Sequence, residues 1–383
     1  MSLVRAFLFV LASIVFAAST AHAQASFNTR ASHVVILDHE TGEVLFGKNA
    51  DEPMPPASMS KLMTALMAFE ALESGQLTLS TELPVSEDAW RRGGAASGSS
   101  TMFLEVNSRA SVEDLLRGII IQSGNDACIV LAEAIGGTEA NFADMMTERA
   151  HELGFTSAQF ANSTGWPDPN HRISAADLAR LAQYMIDAFP QYFALYAEEE
   201  YTYNGIRQFN RNPLLGVFEG ADGLKTGHTE ESGYGLVATA VRDGVRRIVV
   251  FNGMESSRAR ADEAERLMRA AFSEFELVNI VEANQKVADV EVLLGQSSQV
   301  ELVATEALRV GVHRRDADDI NAELVYTGPL RAPISAGESI GHLEVSLADG
   351  RSYEVDVAAA NSVEQKGLFG RAGDAFVRLI RGS

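Results

Sequence analysis

The chain has 383 residues, of which 46% are hydrophobic and 22% charged, and its formal net charge is −21. This composition is typical of a globular protein rather than a disordered one, and the length allows two domains. The acidic balance, without any basic stripe, argues against nucleic acid as a partner. Cys128 is the single cysteine, which excludes an internal disulfide, and its apolar neighbours predict that it is buried.

The N-terminus has the pattern of an export signal. A short basic start precedes an apolar run at 6–18, and Ala21-His22-Ala23 fits a small-x-small cleavage site. The apolar run is short for a bilayer span. We therefore predict that residues 1–23 are a signal peptide and that the mature protein begins at Gln24, with an uncleaved anchor as the alternative.

An apolar helix is predicted at 58–72, after a hairpin of strands at 32–38 and 43–47. Two prolines mark the start of the helix, and apolar residues surround it on nearly every side, so we expect it inside the protein. Its first turn nevertheless carries Ser58 and Lys61, which an i,i+3 spacing places on one face. Because burial of an ammonium is costly, we interpret the pair as a serine nucleophile with a lysine as its base.

The next part of the chain alternates helices, loops and strands. A Gly- and Ser-rich stretch, 91–101, is typical of a surface loop and is placed at the rim of a cleft. Ser111 and Asp114 form a capping-box pattern. Periodicity and turn signals predict helices at 115–122, 126–135, 141–153, 178–188 and 262–272, and paired strands at 234–241 and 247–252. This order predicts an α/β (α+β) domain, residues 24–276, in which helices flank an antiparallel sheet.

The C-terminal part of the chain has a different sequence pattern. Short alternating runs and a hairpin signal at Asp349-Gly350 predict a small all-β domain at 277–361, which we interpret as a spacer or docking module. Residues 362–383 have one apolar helical face and basic residues elsewhere, a pattern typical of a helix on an anionic membrane surface. The alternative is an amphipathic helix packed on its own protein.

Three polar clusters stand out: Ser58-Met59-Ser60-Lys61, Ser123-Gly124-Asn125 and Lys225-Thr226-Gly227. Each is weak alone, but the trio, in this order and behind an export signal, is characteristic of penicillin-binding proteins and class A β-lactamases. With the flanking stretches 111–116 and 222–229, the chain resembles the low-molecular-mass D-alanyl-D-alanine carboxypeptidases of bacterial cell walls, strongly so over residues 30–275.

The resemblance implies a β-lactamase/transpeptidase-like fold and an exported enzyme, peripherally attached at the periplasmic face of the cytoplasmic membrane. Its partners would be the peptidoglycan stem pentapeptide, β-lactam antibiotics and, through the C-terminal helix, the membrane surface. No histidine or acid cluster has metal-ligand spacing, and we predict no cofactor. His171 and His228 lie in no Ser-His-Asp pattern, so we expect no catalytic imidazole.

The same resemblance assigns catalytic roles. Ser58 attacks the carbonyl between two D-alanines and forms an acyl-enzyme, which water hydrolyses. Lys61 takes the serine proton, and burial together with the charge of Lys225 is expected to lower its pKa. Ser123 relays a proton to the leaving amine. The oxyanion hole consists of the backbone N–H groups of Ser58 and His228.

Substrate binding is assigned in the same way. Asn125 holds the peptide amide of the substrate, and Gly227 leaves a strand edge bare for its backbone. The terminal carboxylate is assigned to Lys225, Thr226 and Arg260. Arg258 is close enough in sequence to compete with Arg260 for that role.

Three alternatives share these residues. A class A β-lactamase would need a glutamate in the loop before the third cluster, and residues 162–170 contain none. A penicillin sensor or scaffold would bind a penicillin label but release no D-alanine. A DD-endopeptidase acting on cross-links uses the same residues, and the sequence does not separate it from a carboxypeptidase.

Overall fold

The computed structural model describes residues 27–367. Its α-helices are α1 Lys61–Glu73, α2 Glu87–Gly93, α3 Val112–Arg117, α4 Asn125–Gly136, α5 Glu139–Glu152, α6 Ala175–Ala188, α7 Pro190–Phe193 and α8 Ser257–Ser273. The first nine strands are β1 His33–Asp38, β2 Val44–Lys48, β3 Glu82–Pro84, β4 Arg109–Ser111, β5 Glu200–Tyr203, β6 Ile206–Phe209, β7 Ala221–Thr229, β8 Gly233–Arg242 and β9 Val245–Met254. The remaining strands are β10 Phe275–Val281, β11 Lys286–Leu293, β12 Gln299–Ala304, β13 Leu308–His313, β14 Asn321–Tyr326, β15 Leu330–Arg331, β16 Ser339–Ser346 and β17 Ser352–Ala359.

A five-stranded antiparallel sheet in the order β2-β1-β9-β8-β7 organises the first domain. Successive side chains of a strand point to opposite faces, and here both faces are covered. Val35 and Val250 pack in one hydrophobic cluster with α1, α4 and α6, while Ile36 and Val249 pack in a second cluster with α8. The predicted antiparallel sheet flanked by helices is confirmed.

Helix α1 lies inside the helical lobe. Of its residues, only Glu70 and Glu73 are not buried, so the prediction of a helix surrounded by protein is confirmed. The predicted helix does not start as an α-helix, however. Residues Ala57–Ser60 form a 3₁₀ turn that leads into α1 at Lys61.

The helix predicted at 115–122 is divided in the structure. Ser111 caps α3 by accepting a hydrogen bond from the Asp114 backbone, as the capping box indicated. After α3, residues Gly118–Gln122 form a π-helical turn that ends at Ser123. A Cβ at Gly118 would lie 2.4 Å from the Met102 sulfur, so the helix passes close to the neighbouring loop there. Helix α2, at the start of the predicted loop 91–101, was not anticipated.

The second domain is all β. A six-stranded sheet in the order β14-β16-β17-β12-β11-β15 and the pair β10–β13 enclose a third hydrophobic cluster. The hairpin expected around Asp349-Gly350 is formed by β16 and β17. Strand β10 begins at Phe275, two residues before the boundary predicted at 277.

The boundary predicted at residue 362 between the β domain and the tail segment 362–383 lies too early in the chain. Val363 is buried in the cluster of the β domain and bridges Ile334, and Gln365 bridges Gly295, so 362–367 belong to that domain. The remainder of the predicted helix, like the signal peptide, lies outside the described residues. Among the residues that the structure describes, no helix has the length and apolar character needed to cross a membrane.

The two domains meet at β2. Arg351, at the tip of the β16–β17 hairpin, donates hydrogen bonds to the carbonyl oxygens of Val44 (2.9 Å) and Gly311 (2.5 Å). Phe27 meets Phe275 edge to face beside these contacts, at 5.2 Å between ring centroids. The β domain therefore rests on the edge of the central sheet.

Candidate active site

The 3₁₀ turn Ala57–Ser60 presents the predicted nucleophile. In a 3₁₀ turn the side chains at i and i+3 eclipse each other, which brings Ser58 and Lys61 together more directly than an α-helix would. The Ser58 side chain is half-buried, whereas Lys61 has no exposed surface. Ala57 adopts φ 50°, a left-handed conformation that is strained for alanine and is typical of functional turns.

The Lys61 amine has three hydrogen-bond neighbours: Ser58 Oγ at 2.9 Å, Asn125 Oδ1 at 2.8 Å and the Thr164 carbonyl oxygen at 2.5 Å. The oxygens of Asn125 and Thr164 are acceptors that donate nothing. A neutral amine has two N–H bonds and one lone pair, so these two oxygens take both hydrogens. The lone pair then faces Ser58, which is the orientation that a general base needs.

The pKa of Lys61 fits that role. Burial lowers it from 10.5 to about 8, and the positive charge of Arg211 adds to the lowering. Burial, with the charges of Lys61 and Arg211, also lowers the pKa of Lys225 well below its usual range. Desolvation is therefore the main cause for both amines. The positive charge that lowers the pKa of Lys61 is that of Arg211, where the sequence suggested Lys225.

The second cluster lies opposite this pair. Ser123 adopts φ 66° and is 1% exposed, and its Oγ has no hydrogen-bond partner within residues 27–367. Asn125, the first residue of α4, donates from Nδ2 to Ser99 Oγ at 3.0 Å while its oxygen accepts from Lys61. The Gly- and Ser-rich loop therefore reaches the predicted site. An open cavity of about 340 Å³ lies beside Ser99, between this loop and Arg211.

Asp126 of α4 binds the same loop through hydrogen bonds. It is fully buried and accepts hydrogen bonds from Thr101 Oγ1 at 2.6 Å and from the backbone N–H groups of Met102 and Leu104 at 3.0 and 3.1 Å. These bonds hold the end of the loop against α4, next to Asn125.

The third cluster lies on β7, the edge strand of the central sheet. Lys225 is 2% exposed and donates to the Thr226 carbonyl oxygen at 3.2 Å. A Cβ at Gly227 would lie 2.7 Å from the Pro56 carbonyl oxygen. This close packing of β7 on the Ser58 turn requires glycine at position 227.

The structure separates the two candidate arginines. Arg258 is exposed, whereas Arg260 is half-buried and its guanidinium lies 5.6 Å from the centre of the Tyr234 ring. His228 stacks on the same Tyr234 ring, with 3.7 Å between the two ring centres. Arg260 is near enough to Lys225 for its charge to contribute to the lowered pKa of that amine.

The other residues weighed from the sequence, His171 and Cys128, are both buried. His171 is 2% exposed, its Nδ1 accepts from the Ala161 backbone at 3.1 Å, and burial lowers its pKa to about 4. Cys128 is fully buried, as predicted. Within residues 27–367, no group of His, Cys, Asp or Glu side chains is arranged to hold a metal ion.

The structure thus brings the three sequence clusters together and adds residues that the motifs did not indicate. Arg211 donates to Ser100 Oγ at 2.7 Å beside Asn125. It lies in a turn with no distinguishing pattern, so no sequence signal pointed to it. Thr164 contributes through its backbone oxygen, which any residue type would supply.

Gly165 packs on the same turn as Gly227, and a substitution there tests this packing. Its φ is +82°, and a Cβ would lie 2.1 Å from the Ala57 carbonyl oxygen. We expect Gly165→Ala to lower the free energy of unfolding by about 3 kcal/mol, the sum of a left-handed alanine and an overpacked contact, and to slow acylation of Ser58. The matched control is Gly154→Ala, with φ +86° and no atom within 4 Å of the new Cβ. Equal losses of stability in denaturant unfolding of the two variants would contradict the expectation.

The family profile described as D-alanyl-D-alanine carboxypeptidase matches residues 18–255, and the profile described as Penicillin-binding protein 5, C-terminal domain, matches residues 275–365. D-alanyl-D-alanine carboxypeptidase DacC of Escherichia coli (strain K12) is 38% identical over 373 residues, covering 96% of this chain and 92% of the relative. The crystal structure of the D-alanyl-D-alanine carboxypeptidase DacD from Francisella tularensis superposes with a TM-score of 0.76 at 30% identity, over 89% of this chain and 95% of that one. Penicillin-binding protein D2 from Listeria monocytogenes, in its ampicillin-bound form, has a TM-score of 0.58 at 30% identity over 65% of this chain and 100% of that one.

The fold and the serine–lysine pair define a serine-type peptidase built on an antiparallel sheet flanked by helices, with an all-β domain behind it. The chain belongs to the D-alanyl-D-alanine carboxypeptidase family. The family resemblance, the fold class and the carboxypeptidase activity expected from the sequence are confirmed, and the alternatives are not favoured.

Proposed function

We propose that this chain removes the terminal D-alanine from peptidoglycan stem pentapeptides through an acyl-enzyme on Ser58, and thereby limits cross-linking of the cell wall. One observation carries the proposal. The buried Lys61 amine lies 2.9 Å from Ser58 Oγ, and its two other neighbours are acceptors that direct its lone pair to the serine.

Acylation begins when Lys61 takes the Ser58 proton and Oγ attacks the carbonyl carbon of the penultimate D-alanine. Charge develops on the carbonyl oxygen, which the backbone N–H groups of Ser58 and His228 stabilise; such a donor contributes about 3 kcal/mol. The C–N bond then breaks, and the leaving amine takes a proton that Ser123 passes on from Lys61. Water hydrolyses the ester and frees Ser58.

The terminal carboxylate of the substrate meets a cluster of cations. Lys225 and Thr226 lie on the edge strand β7. Arg260 lies on α8, over the Tyr234 ring, and Arg211 adds a charge from the loop side. A bound carboxylate favours the protonated form of Lys225, because an opposite charge nearby stabilises the ammonium. We propose that substrate binding keeps the proton on Lys225 while Lys61 stays neutral, so that the two lysines have different tasks. Asn125 holds the substrate amide.

β-Lactam antibiotics are proposed as inhibitors that acylate the same serine. The relative from Listeria monocytogenes is described in an ampicillin-bound form. In the present chain the loop 162–170 contains no glutamate, and Glu139 beside it is bonded to Ser163 (2.8 Å) and Arg92 (2.7 Å). Without a glutamate in this loop to activate water, we expect slow release of a bound penicillin.

The test is labelling with a fluorescent penicillin, followed by mass spectrometry of the modified peptide, together with D-alanine release from a pentapeptide. We expect a single label on Ser58 and stoichiometric release of D-alanine, and no label on the Ser58→Ala variant. The Ser60→Ala variant, which changes the neighbouring serine, is the matched control. A label on another residue would overturn the mechanism. Rapid hydrolysis of a chromogenic cephalosporin would instead support a β-lactamase.

We also propose that the enzyme is exported and peripherally attached to the cytoplasmic membrane on its periplasmic face. The β16–β17 tip docks on the catalytic domain through Arg351, whereas the described chain ends near Leu294 and Ala332, at the opposite end of the β domain. Strands of eight residues separate the two ends, which is roughly 25 Å. A membrane-binding tail at this position would hold the catalytic cleft away from the surface.

Truncation after Gly367 tests the tail while it preserves Gln365 and Lys366, which contact the β domain. We expect the truncated enzyme to lose binding to vesicles that contain anionic lipid and to release D-alanine at the rate of the full chain. Vesicles of neutral lipid alone are the control, because the basic face needs anionic headgroups. Unchanged binding of the truncated chain would contradict the proposal.

A further inference from the structure

The turn that carries Thr164 is closed by one side chain. Asn162 Oδ1 accepts from the backbone N–H groups of Thr164 (3.2 Å), Gly165 (2.8 Å) and Trp166 (3.1 Å) and from Thr164 Oγ1 (3.0 Å). Asn162 Nδ2 donates back to the Trp166 carbonyl oxygen at 3.1 Å. Asparagine side chains often close a local turn in this way, but here one amide makes five such contacts.

The residue between Asn162 and Thr164 anchors the turn to the rest of the domain. Thr64 of α1 donates to the Ser163 carbonyl oxygen at 2.7 Å. Glu139 of α5 accepts from the Ser163 backbone at 3.2 Å and from its hydroxyl at 2.8 Å. Ser163 is fully buried. The turn is therefore fixed at its base by two helices and shaped at its tip by Asn162.

The shape of the tip decides where the Thr164 carbonyl points. Its oxygen accepts from Lys61 at 2.5 Å and is one of the two acceptors that orient the amine. If this oxygen moved away, Asn125 would be the one remaining acceptor for the N–H groups of the neutral amine. The amine would then be free to rotate about its Cε–Nζ bond. The fraction of molecules with the lone pair on Ser58 would then fall.

We infer that Asn162 is a positioning residue for the general base: its side chain holds the Thr164 carbonyl where it directs the lone pair of Lys61 to Ser58. The inference rests on the proposed role of Lys61. It separates orientation of the base from substrate binding, since the carboxylate-binding residues lie on β7 and α8. Loss of Asn162 therefore lowers kcat and the acylation rate and leaves KM unchanged.

The charges around Lys61 allow a second measurement, the pH dependence of the acylation rate. The titratable and charged groups that face its amine are Arg211, Asp126, Cys128, Lys225 and His171. None of these belongs to the turn 162–166. A carboxylate at position 162 would keep the acceptor oxygens and add a negative charge near the amine, which stabilises the ammonium form. The rate profile of such a variant moves to higher pH.

The test compares Asn162→Ala and Asn162→Asp with the matched pair Asn170→Ala and Asn170→Asp, at an exposed position of the same loop. Acylation by a fluorescent penicillin and D-alanine release are measured from pH 6 to 10, with thermal unfolding as a check on folding. We expect Asn162→Ala to lower kcat about 10- to 100-fold, the effect of a base misplaced by about 1 Å, with KM within about twofold of the wild type. Asn162→Asp should recover most of the rate at high pH, and the acid limb of its pH–rate profile should be shifted to higher pH. The Asn170 variants should match the wild type.

Two results would overturn the inference: a folded Asn162→Ala variant with the wild-type acylation rate, or an Asn162→Asp profile that coincides with the wild type. If Asn162→Ala does not fold, the Asn162→Asp profile decides alone. Failure of the proposed function gives a different result, because the wild-type enzyme would then show no label on Ser58.

Discussion

Replacing Lys61 with methionine is expected to slow acylation of Ser58 by about 10²- to 10⁴-fold, the usual contribution of a general base. Methionine fills a similar volume without an amine, so Ser58 keeps its proton while the helix stays packed. The measurement is the second-order rate constant for labelling by a fluorescent penicillin, with D-alanine release alongside it. Lys286→Met, the same change at a half-exposed site in the β domain, is the control and should label at the wild-type rate.

The same residue sets the expected pH dependence. In the proposed mechanism the active form of Lys61 is the neutral amine, and burial lowers its pKa to about 8. Below that value the neutral fraction falls tenfold per pH unit, so the acylation rate of the wild type should rise with pH and level off above pH 8. The Lys61→Met variant should lose this rise. A wild-type rate that is constant between pH 6 and 8, or a variant that retains the rise, would show that another group titrates.

Replacing Asp126 with alanine is expected to lower the free energy of unfolding by about 3–5 kcal/mol. The substitution leaves the N–H groups of Met102 and Leu104 and the hydroxyl of Thr101 without their acceptor. Each buried donor left unpaired costs about 1–3 kcal/mol, less where the loop can relax towards water. Denaturant unfolding measures the loss.

Asp126 also tests how the loop supports the site. Asp126→Asn keeps one acceptor oxygen and should lie between the alanine variant and the wild type. Asp144→Ala, an exposed change on α5, should stay within about 0.5 kcal/mol of the wild type. Because the loop delivers Ser99 to Asn125, we expect the acylation rate of Asp126→Ala to fall as well. Stability and rate equal to those of Asp144→Ala would contradict both expectations.

Much of the local structure and the identity of the proposed reacting pair follow from contiguous residues. The turn at Asp349-Gly350, the cap at Ser111 and the apolar surround of α1 are each determined by neighbours in the chain. The pairing of Ser58 with Lys61 is of the same kind, because an i,i+3 spacing in one helical turn is enough to make them adjacent. Fold class and family followed from these patterns together with the two later clusters.

Only the tertiary structure decided how the base is oriented. The acceptors of Lys61 lie 64 and 103 residues away, at Asn125 and Thr164, and the second of these is a backbone oxygen. A carbonyl group is the same in every residue type, so no pattern of side chains marks the one that matters. The contact exists because Asn162 bends the chain there and because Gly165 allows it to lie against Ala57. The sequence by itself determined which groups we propose to react, and the packing of distant segments determined the direction in which the lysine lone pair points.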